Sequence, residues 1–354
     1  MLYLKTDFGS TPSTDNGTRP YTGTNPPFWD NASIWLDGGA GVTQTSTHVG
    51  TDTSVRVRVT NSGTSAVSFV SVDAYLLDPF VGITSPAQAI RSFNGTVVTA
   101  SPGSGGSSPT DSHVALCQLP GEVPWKPTAT ELANSTGGHL CLIANVYADG
   151  DGKVLGSSDP FDVANNAHHG QRNIALLAST QKMQNLKIKV MPGPDGQATL
   201  LDLHALNSKT AIGMGENWLL RSRANVVRVA QPNKRPWYYL TSSGDRPDTA
   251  LTFTRKSIAG RLELAGGTVD LRESVRATKA AVARVGNADR LSWHAAEGGR
   301  IRLAANRQVD VANLTLQRDD DKGSLQAFDI VQRSEDGTII GGLRVLSLVT
   351  GALR

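Results

Sequence analysis

The chain has 354 residues, of which 39% are hydrophobic and 36 are glycine, so it is long enough for two ordinary domains with a core in each. No apolar run approaches the roughly 20 residues that cross a bilayer, which argues against a helical membrane span. The opening MLYLKTDFGSTPSTDNGTRPY also lacks the hydrophobic region of a secretory signal. The location therefore stays open between the cytoplasm, a non-classical export route and a place in a larger particle.

The net charge of +3 is divided unevenly along the chain. Residues 1–170 carry 7 Lys and Arg against 14 Asp and Glu, or −7, whereas residues 171–354 carry 27 against 17, or +10. This division predicts a domain boundary near residue 170. It also predicts that an acidic surface of one copy could meet a basic surface of the next, or that the second half could meet an anion. The simpler interpretation is that the two domains differ in surface charge and that this difference has no role in binding.

The first 40 residues are rich in Gly, Pro, Thr and Asn and predict an irregular N-terminal arm. Within them, PPFWDNASIWLDGG places Trp29 and Trp35 close together, which is too apolar for a free tail. We expect these indoles to hold the arm against a domain. Stacking on a glycan or docking on a partner is the alternative, because aromatic side chains are enriched in interface cores.

Short strands follow from residue 41 to residue 178. TSVRVRVTNSG alternates apolar and polar residues and ends in a turn, and VSFVSVDAYLLDP repeats the alternation. HVALCQL, HLCLIANVYAD and RNIALL continue the series, with glycine-rich turns between them. Six or seven short strands of this kind predict an antiparallel β-sandwich.

Residues 45–178 resemble bacterial immunoglobulin-like domains of the CARDB type, the cell-adhesion-related domain of bacteria. SVRVRVTNSGTSAVSFVSVDAYLLDP, PWKPT, GGHLCLIANVYAD and ANNAHHGQRNIAL carry the resemblance. A weaker resemblance covers residues 296–350. The resemblance implies two tandem immunoglobulin-like β-sandwiches, over 41–178 and 179–354, with an insertion in the second. It implies little about activity.

The second half contains two predicted hairpins and one predicted helix. NLKIKVMPG and QATLLDLHAL should pair across Pro192–Gly196, and residues 325–349 should form a closing hairpin around Glu335-Asp336-Gly337. VDLRESVRATKAAVARVG is rich in Ala and Arg and ends in Gly286, which favours a short helix inserted between strands.

The cysteines and acidic turns give weak candidates for chemistry. Cys117 and Cys141 could form a disulfide if their strands were neighbours, but two buried free thiols are favoured. Asp149 and Asp151 in the DGDG run resemble the start of a calcium loop, yet its closing Glu is missing and Pro160 occupies that position. A glycine-rich turn explains the run better, so we expect no metal and no cofactor.

A basic and aromatic cluster in the second half is the strongest surface candidate. It consists of Lys234, Arg235, Trp237, Tyr238 and Tyr239. Such residues can stack on bases or sugars and pair with anionic groups, although aromatic core residues behind a charged loop are the simpler interpretation. Binding to nucleic acid is not favoured.

The sequence holds none of the common catalytic motifs. A Gly-x-Ser-x-Gly nucleophile turn, a phosphate-binding Gly-x-x-x-x-Gly-Lys loop and a complete Gly-x-Gly-x-x-Gly are all missing. We therefore expect a non-catalytic structural, adhesion or assembly protein of bacterial or phage type, which binds a protein partner or associates with itself. A carbohydrate-binding module is the first alternative, and an enzyme with an unrecognised site is the second.

Overall fold

The computed structural model describes some residues with their side chains and others by their backbone alone. Side chains are described over 1–8, 13–22, 27–38, 49–103, 113–131, 141–173, 188–202 and 329–345. Backbone structure alone is described over 132–134, 174–179, 183–187, 203–205, 226–229, 237–241, 250–256, 261–264, 267–270, 278–285, 291–293, 300–303, 310–318, 325–328 and 346–349.

The described structure is almost entirely β, which confirms the prediction of an all-β fold. The first ten strands are β1 Leu2–Tyr3, β2 Ile34–Gly38, β3 Thr53–Arg58, β4 Thr60–Asn61, β5 Val67–Leu77, β6 Phe80–Val81, β7 Arg91–Ala100, β8 Val114–Cys117, β9 Cys141–Tyr147 and β10 His169–Arg172. The later strands are β11 Ile174–Ser179, β12 Met183–Val190, β13 Thr199–Ala205, β14 Val226–Val229, β15 Trp237–Thr241, β16 Ala250–Lys256, β17 Arg261–Leu264, β18 Gly267–Asp270, β19 Thr278–Val285, β20 Leu291–Trp293, β21 Arg300–Leu303, β22 Asp310–Arg318, β23 Leu325–Ser334 and β24 Ile339–Val349. A six-residue α-helix, α1 Ala129–Asn134, accompanies them.

The first half forms an antiparallel sandwich of two sheets. One sheet has the order β10-β9-β5-β7 and the other the order β2-β3-β8. Alternation explains the packing, because Val55, Val57 and Val59 are completely buried and face Leu142 and Ala144 across the sandwich. These five residues share one hydrophobic cluster. Alternation along HLCLIANVYAD would place Leu140 on the same face as Leu142 and Ala144, but Leu140 lies outside the described residues.

The larger sheet of this sandwich is buried on both faces. Tyr75 and Leu77 of β5 and Ile143 of β9 point away from the sandwich interior and into a second cluster. That cluster also contains Ile188, Val190, Met191, Leu201, Ile330, Leu343 and Val345 from the second half. The two halves therefore share a core, and β6 pairs in parallel with β12 across the same junction.

The described strands of the second half, together with β6 of the first half, form three five-stranded sheets. Their strand orders are β11-β24-β23-β13-β21, β20-β19-β22-β12-β6 and β14-β15-β16-β17-β18. The third is an antiparallel meander that lies between β13 and β19 in the chain. The described residues of the arm, 1–8, 13–22 and 27–38, contain β1, which pairs with β4, and β2, which pairs with β3. The predicted division into domains at residue 178 stays a prediction.

Two predicted elements of the second half are wrong and one is confirmed. No helix is present in the described residues of 269–286, which belong to the end of strand β18 and to strand β19. β19 pairs along its length with β22, and this pairing overrides the Ala-rich composition. The expected β12–β13 hairpin does not form, since β12 pairs with β22 and β13 with β23 in different sheets. The closing hairpin of β23 and β24 is present, with Gly337 at φ 92° in its turn.

Helix α1 lies in the first half, and its capping residues determine where it begins. Thr128 accepts the backbone N–H of Glu131 at 3.2 Å through its hydroxyl, and the Glu131 carboxylate accepts the Thr128 N–H at 2.7 Å. This reciprocal pair is a capping box, which satisfies two donors that a helix start leaves open.

Candidate functional site

An open cleft of about 430 Å³ lies between the arm and the closing hairpin. We call it the arm cleft. Its lining is mainly apolar and comes from three separate parts of the chain: Pro20, Tyr21, Thr22, Pro27, Phe28, Trp29, Ala164, Asn165, Asp329, Val331, Arg333, Thr338 and Ile339. Concave apolar surfaces with a few polar groups are where proteins bind small ligands and side chains.

A buried ion pair shapes the arm side of the cleft. The Asp15 carboxylate accepts the Thr6 N–H at 2.8 Å, the Gly17 N–H at 3.0 Å and a guanidinium N–H of Arg19 at 2.9 Å. Both side chains of the Asp15–Arg19 pair are buried. These bonds fix the turn that delivers Pro20 and Tyr21 to the cleft, where the Tyr21 N–H donates to Ala164 O at 3.1 Å.

Trp29 joins the arm to the closing hairpin. Its indole ring lies on Gly342 of β24, where the Cβ of any other residue would stand only 2.5 Å from the ring, so this position requires glycine. Phe28 packs edge-on against it with ring centroids 4.9 Å apart. Trp29 is only 4% exposed, and its indole N–H has no hydrogen-bond partner among the described residues.

A buried group of charged side chains also holds the arm against the closing hairpin below the cleft. Arg344 of β24 donates to Asp30 of the arm at 2.8 Å and to both oxygens of Asp329 at 2.9 and 3.0 Å. Burial alone would lower the pKa of Arg344, but the two carboxylates raise it, so the guanidinium stays charged. One wall of the cleft therefore cannot slide against the other without breaking a buried charge network.

The rim of the arm cleft is polar and exposed. Thr22, Asn165 and Thr338 are exposed there, and Arg333 is held at 3.1 Å from Asp202. Below them, Phe28, Trp29 and Val331 share a buried cluster, which Tyr21 and Ile339 cover in part. An apolar floor under a polar rim suits an apolar side chain whose backbone stays solvated.

Of the two tryptophans predicted to bind, only Trp29 lines this cleft. Trp35 lies in β2, half-buried, with the Arg58 guanidinium 5.3 Å from its ring centroid and 3.9 Å from that of Phe8. This stack holds the start of the arm on the sandwich.

In the predicted basic and aromatic cluster, Trp237, Tyr238 and Tyr239 belong to β15. Their side chains, and the whole of Lys234 and Arg235, lie outside the described residues.

The acidic DGDG run forms a tight turn. Ala148 and Asp151 exchange backbone hydrogen bonds, and Gly150 and Gly152 take positive φ. The Asp151 carboxylate accepts the Leu2 N–H at 2.6 Å and lies 2.8 Å from Nε2 of His168, so it joins β1 to the sandwich. Asp149 is exposed. Within the part of the chain that the structure describes, no group of three or more His, Cys, Asp or Glu could hold a metal ion.

The two cysteines are buried free thiols, and the Cys141 thiol donates to the side-chain oxygen of Asn173. Cys117 lies in the sandwich interior, whereas Cys141 faces the core shared by the two halves. Burial raises the pKa of both thiols, and Asp73 adds to this at Cys117. Each thiol therefore packs as a small apolar group.

Sequence reasoning missed most of the cleft. Tyr21, Phe28, Val331 and Ile339 belong to segments far apart in the chain, and no local pattern links them. The one available signal was the cluster of aromatic and proline residues around Trp29.

No protein-family model matches the chain, and no curated protein matches it. Among solved structures, the collagen adhesin from S. aureus matches at 6% identity, covering 89% of this chain and 91% of that one, with a TM-score of 0.20. CBD12 from CALX1.2 matches at 10% identity over 80% and 76%, with a TM-score of 0.16. The partial N-terminal region of enterococcal surface protein matches at 10% identity over 95% and 99%, with a TM-score of 0.17. These TM-scores establish neither a family nor a function.

Within the described residues, the structure has no helix with the length and hydropathy needed to span a membrane.

Proposed function

We propose that the chain is a non-catalytic structural or adhesion protein that binds an apolar side chain of a protein partner in the arm cleft. The observation that carries the proposal is the cleft itself, whose mainly apolar lining brings Tyr21 and Trp29 of the arm together with Ile339 of the closing hairpin. Such a site gains free energy from burying apolar surface.

A protein side chain fits the cleft better than a sugar. Glycan binding uses an exposed aromatic face, whereas Trp29 and Phe28 are each only 4% exposed and present little ring surface. The carbohydrate-binding alternative therefore has less support from this site. The basic and aromatic cluster of residues 234–239 remains the place where it could still apply.

Titratable side chains with shifted pKa values among the described residues are consistent with a non-catalytic role. Burial raises the pKa of Asp73, but its carboxylate accepts a hydrogen bond from Asn94 at 2.7 Å. Burial lowers the pKa of His169 to about 4, and Asn166 lies 3.2 Å from its Nε2. Neither group lines the arm cleft, and both are structural groups of the sheet. Tyr21 does line the cleft, but burial raises its pKa to about 12, so its phenol keeps its proton near neutral pH.

The test uses small probes of each chemistry. N-acetyl-L-phenylalaninamide stands for an apolar side chain on a backbone, and chitotriose stands for a glycan; each is titrated against the full chain by calorimetry. We expect saturable binding of the first probe with a dissociation constant of about 1 mM, or about 4 kcal/mol. Equal or tighter binding of chitotriose, or no binding of either probe, would contradict the proposal.

Paired variants locate the binding. Thr22→Glu with Thr338→Glu places two charges at exposed positions on the rim and should weaken the apolar probe at least tenfold. Thr130→Glu with Ser158→Glu adds the same charge at exposed positions that do not line the cleft, and should leave binding unchanged.

A further inference from the structure

Two carboxylates stand at the rim of the arm cleft, on different walls. The Asp162 carboxylate accepts the backbone N–H of Asn165 at 3.2 Å and its side-chain amide at 3.1 and 3.0 Å. On the closing hairpin, Asp336 accepts the backbone N–H of Thr338 at 2.9 Å. Asn165 and Thr338 are both exposed and both line the cleft. We call Asp162 and Asp336 the rim carboxylates.

The carboxylate on the closing hairpin is charged at neutral pH. Hydrogen bonds from the Ser334 hydroxyl and then from the Thr338 N–H lower the pKa of Asp336 below its ordinary value. The side chain is exposed, and Glu335 precedes it in the same exposed turn. This side of the rim therefore presents negative charge to the solvent at the mouth of the cleft.

The described cations at the cleft are already bound to carboxylates. Arg333 lines the cleft, but its guanidinium donates to Asp202 at 3.1 Å. Arg344 is shared between Asp30 and Asp329, so that two carboxylates meet one guanidinium and this group has a net charge of −1. The described side chains around the cleft thus leave the rim carboxylates without a neutralising excess of positive charge.

An apolar cleft with a negative rim favours one chemistry in its partner. The floor gains free energy from burying an apolar side chain. Carboxylates beside it attract lysine and arginine and repel aspartate and glutamate. The aliphatic stem of a lysine or arginine can also lie along apolar surface such as Ile339, while its charged end reaches the solvated rim.

We infer that the partner segment bound by the arm cleft carries an apolar residue flanked by lysine or arginine, whose positive charges are held by Asp162 and Asp336. The inference rests on the proposed function and specifies the chemistry of its partner. A segment with the same apolar residue between acidic neighbours is repelled, so the rim selects among partners that the apolar floor alone would accept equally.

Three tripeptides test the charge of the partner at constant apolar content. They are acetyl-Lys-Phe-Lys-amide, acetyl-Gln-Phe-Gln-amide and acetyl-Glu-Phe-Glu-amide, each titrated against the full chain by calorimetry at low ionic strength. We expect the lysine peptide to bind about fivefold more tightly than the glutamine peptide, and the glutamate peptide to bind more weakly than both. The preference should disappear near 1 M salt, where the Debye length is about 3 Å.

A paired variant locates the charge effect. Asp162→Asn with Asp336→Asn keeps a side-chain oxygen for the N–H groups of Asn165 and Thr338, so the rim should keep its shape. It should bind the lysine and glutamine peptides equally and leave the affinity for the glutamine peptide unchanged. The matched control is Asp149→Asn with Asp195→Asn, which removes the same charge at exposed positions that do not line the cleft and should keep the fivefold preference.

The outcomes separate this inference from the proposed function. Equal binding of all three peptides to the wild type, or tighter binding of the glutamate peptide, would overturn the inference alone, because the apolar cleft would still bind. A lysine preference that persists in the rim variant would also overturn it. Binding of none of the peptides would overturn both proposals, and the comparison on the wild type decides this without any variant.

Discussion

Arg344 and Asp30 are 314 residues apart in the chain, yet their side chains meet at 2.8 Å. Arg344 is in the last described strand and Asp30 is in the N-terminal arm, so this contact joins two distant parts of the chain. Asp329 completes the group from the neighbouring strand. The arm cleft exists because this charge network and the Trp29 ring on Gly342 hold the arm against the closing hairpin.

Loss of Arg344 should strongly destabilise this junction. Arg344→Ala leaves two largely buried carboxylates without their cation, which typically costs about 3–5 kcal/mol. We expect a loss of this size in the free energy of unfolding, measured by urea denaturation. Lys153→Ala is the matched control, because its contact with Asp159 is exposed to solvent and its loss should have little effect on stability. Equal, small losses for both variants would contradict the proposed clamp.

The core of the first sandwich gives a second stability prediction. Val57 is completely buried in the middle strand of its sheet, so Val57→Asp would bury a charge without a partner and should cost at least about 3 kcal/mol. Val154→Asp introduces the same group at a 62% exposed position and should have little effect. Thermal unfolding of the two variants checks this, and a Val57→Asp protein as stable as wild type would refute the packing.

Part of this architecture can be predicted from sequence. Strict alternation at Val55, Val57 and Val59 identifies a strand with one buried face, and the structure has it. CLIANVY of β9 is apolar at nearly every position, and the structure explains why: both faces of its sheet are buried. A run of this kind indicates that something covers the second face but not what covers it.

The arm cleft could not be predicted in the same way. Its walls meet only after the arm, the 163–165 loop and the closing hairpin are packed together, so no spacing in the sequence encodes it. The helix prediction over 269–286 failed for a related reason, because pairing of β19 with β22 is a long-range contact that local composition does not report.

His169 should make stability depend on pH. Burial, and then the neighbouring His168, lower the pKa of His169 from 6.5 to about 4. In the unfolded chain the imidazole takes up its proton near pH 6.5, so between pH 6.5 and 4 the unfolded state binds more protons and stability falls as the pH falls. The full effect is roughly 3 kcal/mol, at about 1.36 kcal/mol per pH unit of difference.

A variant isolates the contribution of this histidine. His169→Gln should flatten the slope of unfolding free energy against pH in that window, whatever its effect on absolute stability. Urea denaturation at about pH 4.5, 5.5 and 7 gives the slopes. Identical slopes for wild type and His169→Gln would show that His169 does not titrate differently in the folded state.

The cysteines should be unreactive while the protein is folded. Cys117 and Cys141 are completely buried and their pKa values are raised, so little thiolate is available to react. We expect iodoacetamide to modify both thiols in urea and neither in buffer, as measured by intact mass. Rapid native alkylation, or a mass lower by two hydrogens before reduction, would contradict the buried free thiols.

The most direct measurement of the binding site is the NMR signal of the Trp29 indole N–H. Its assignment among the six tryptophans comes from the Trp29→Phe spectrum. On titration with N-acetyl-L-phenylalaninamide, we expect this signal to shift saturably while that of Trp125, which is buried in the sandwich, stays in place. A Trp29 signal that does not move while the probe binds elsewhere, or equal shifts at every indole, would contradict a ligand site in the arm cleft.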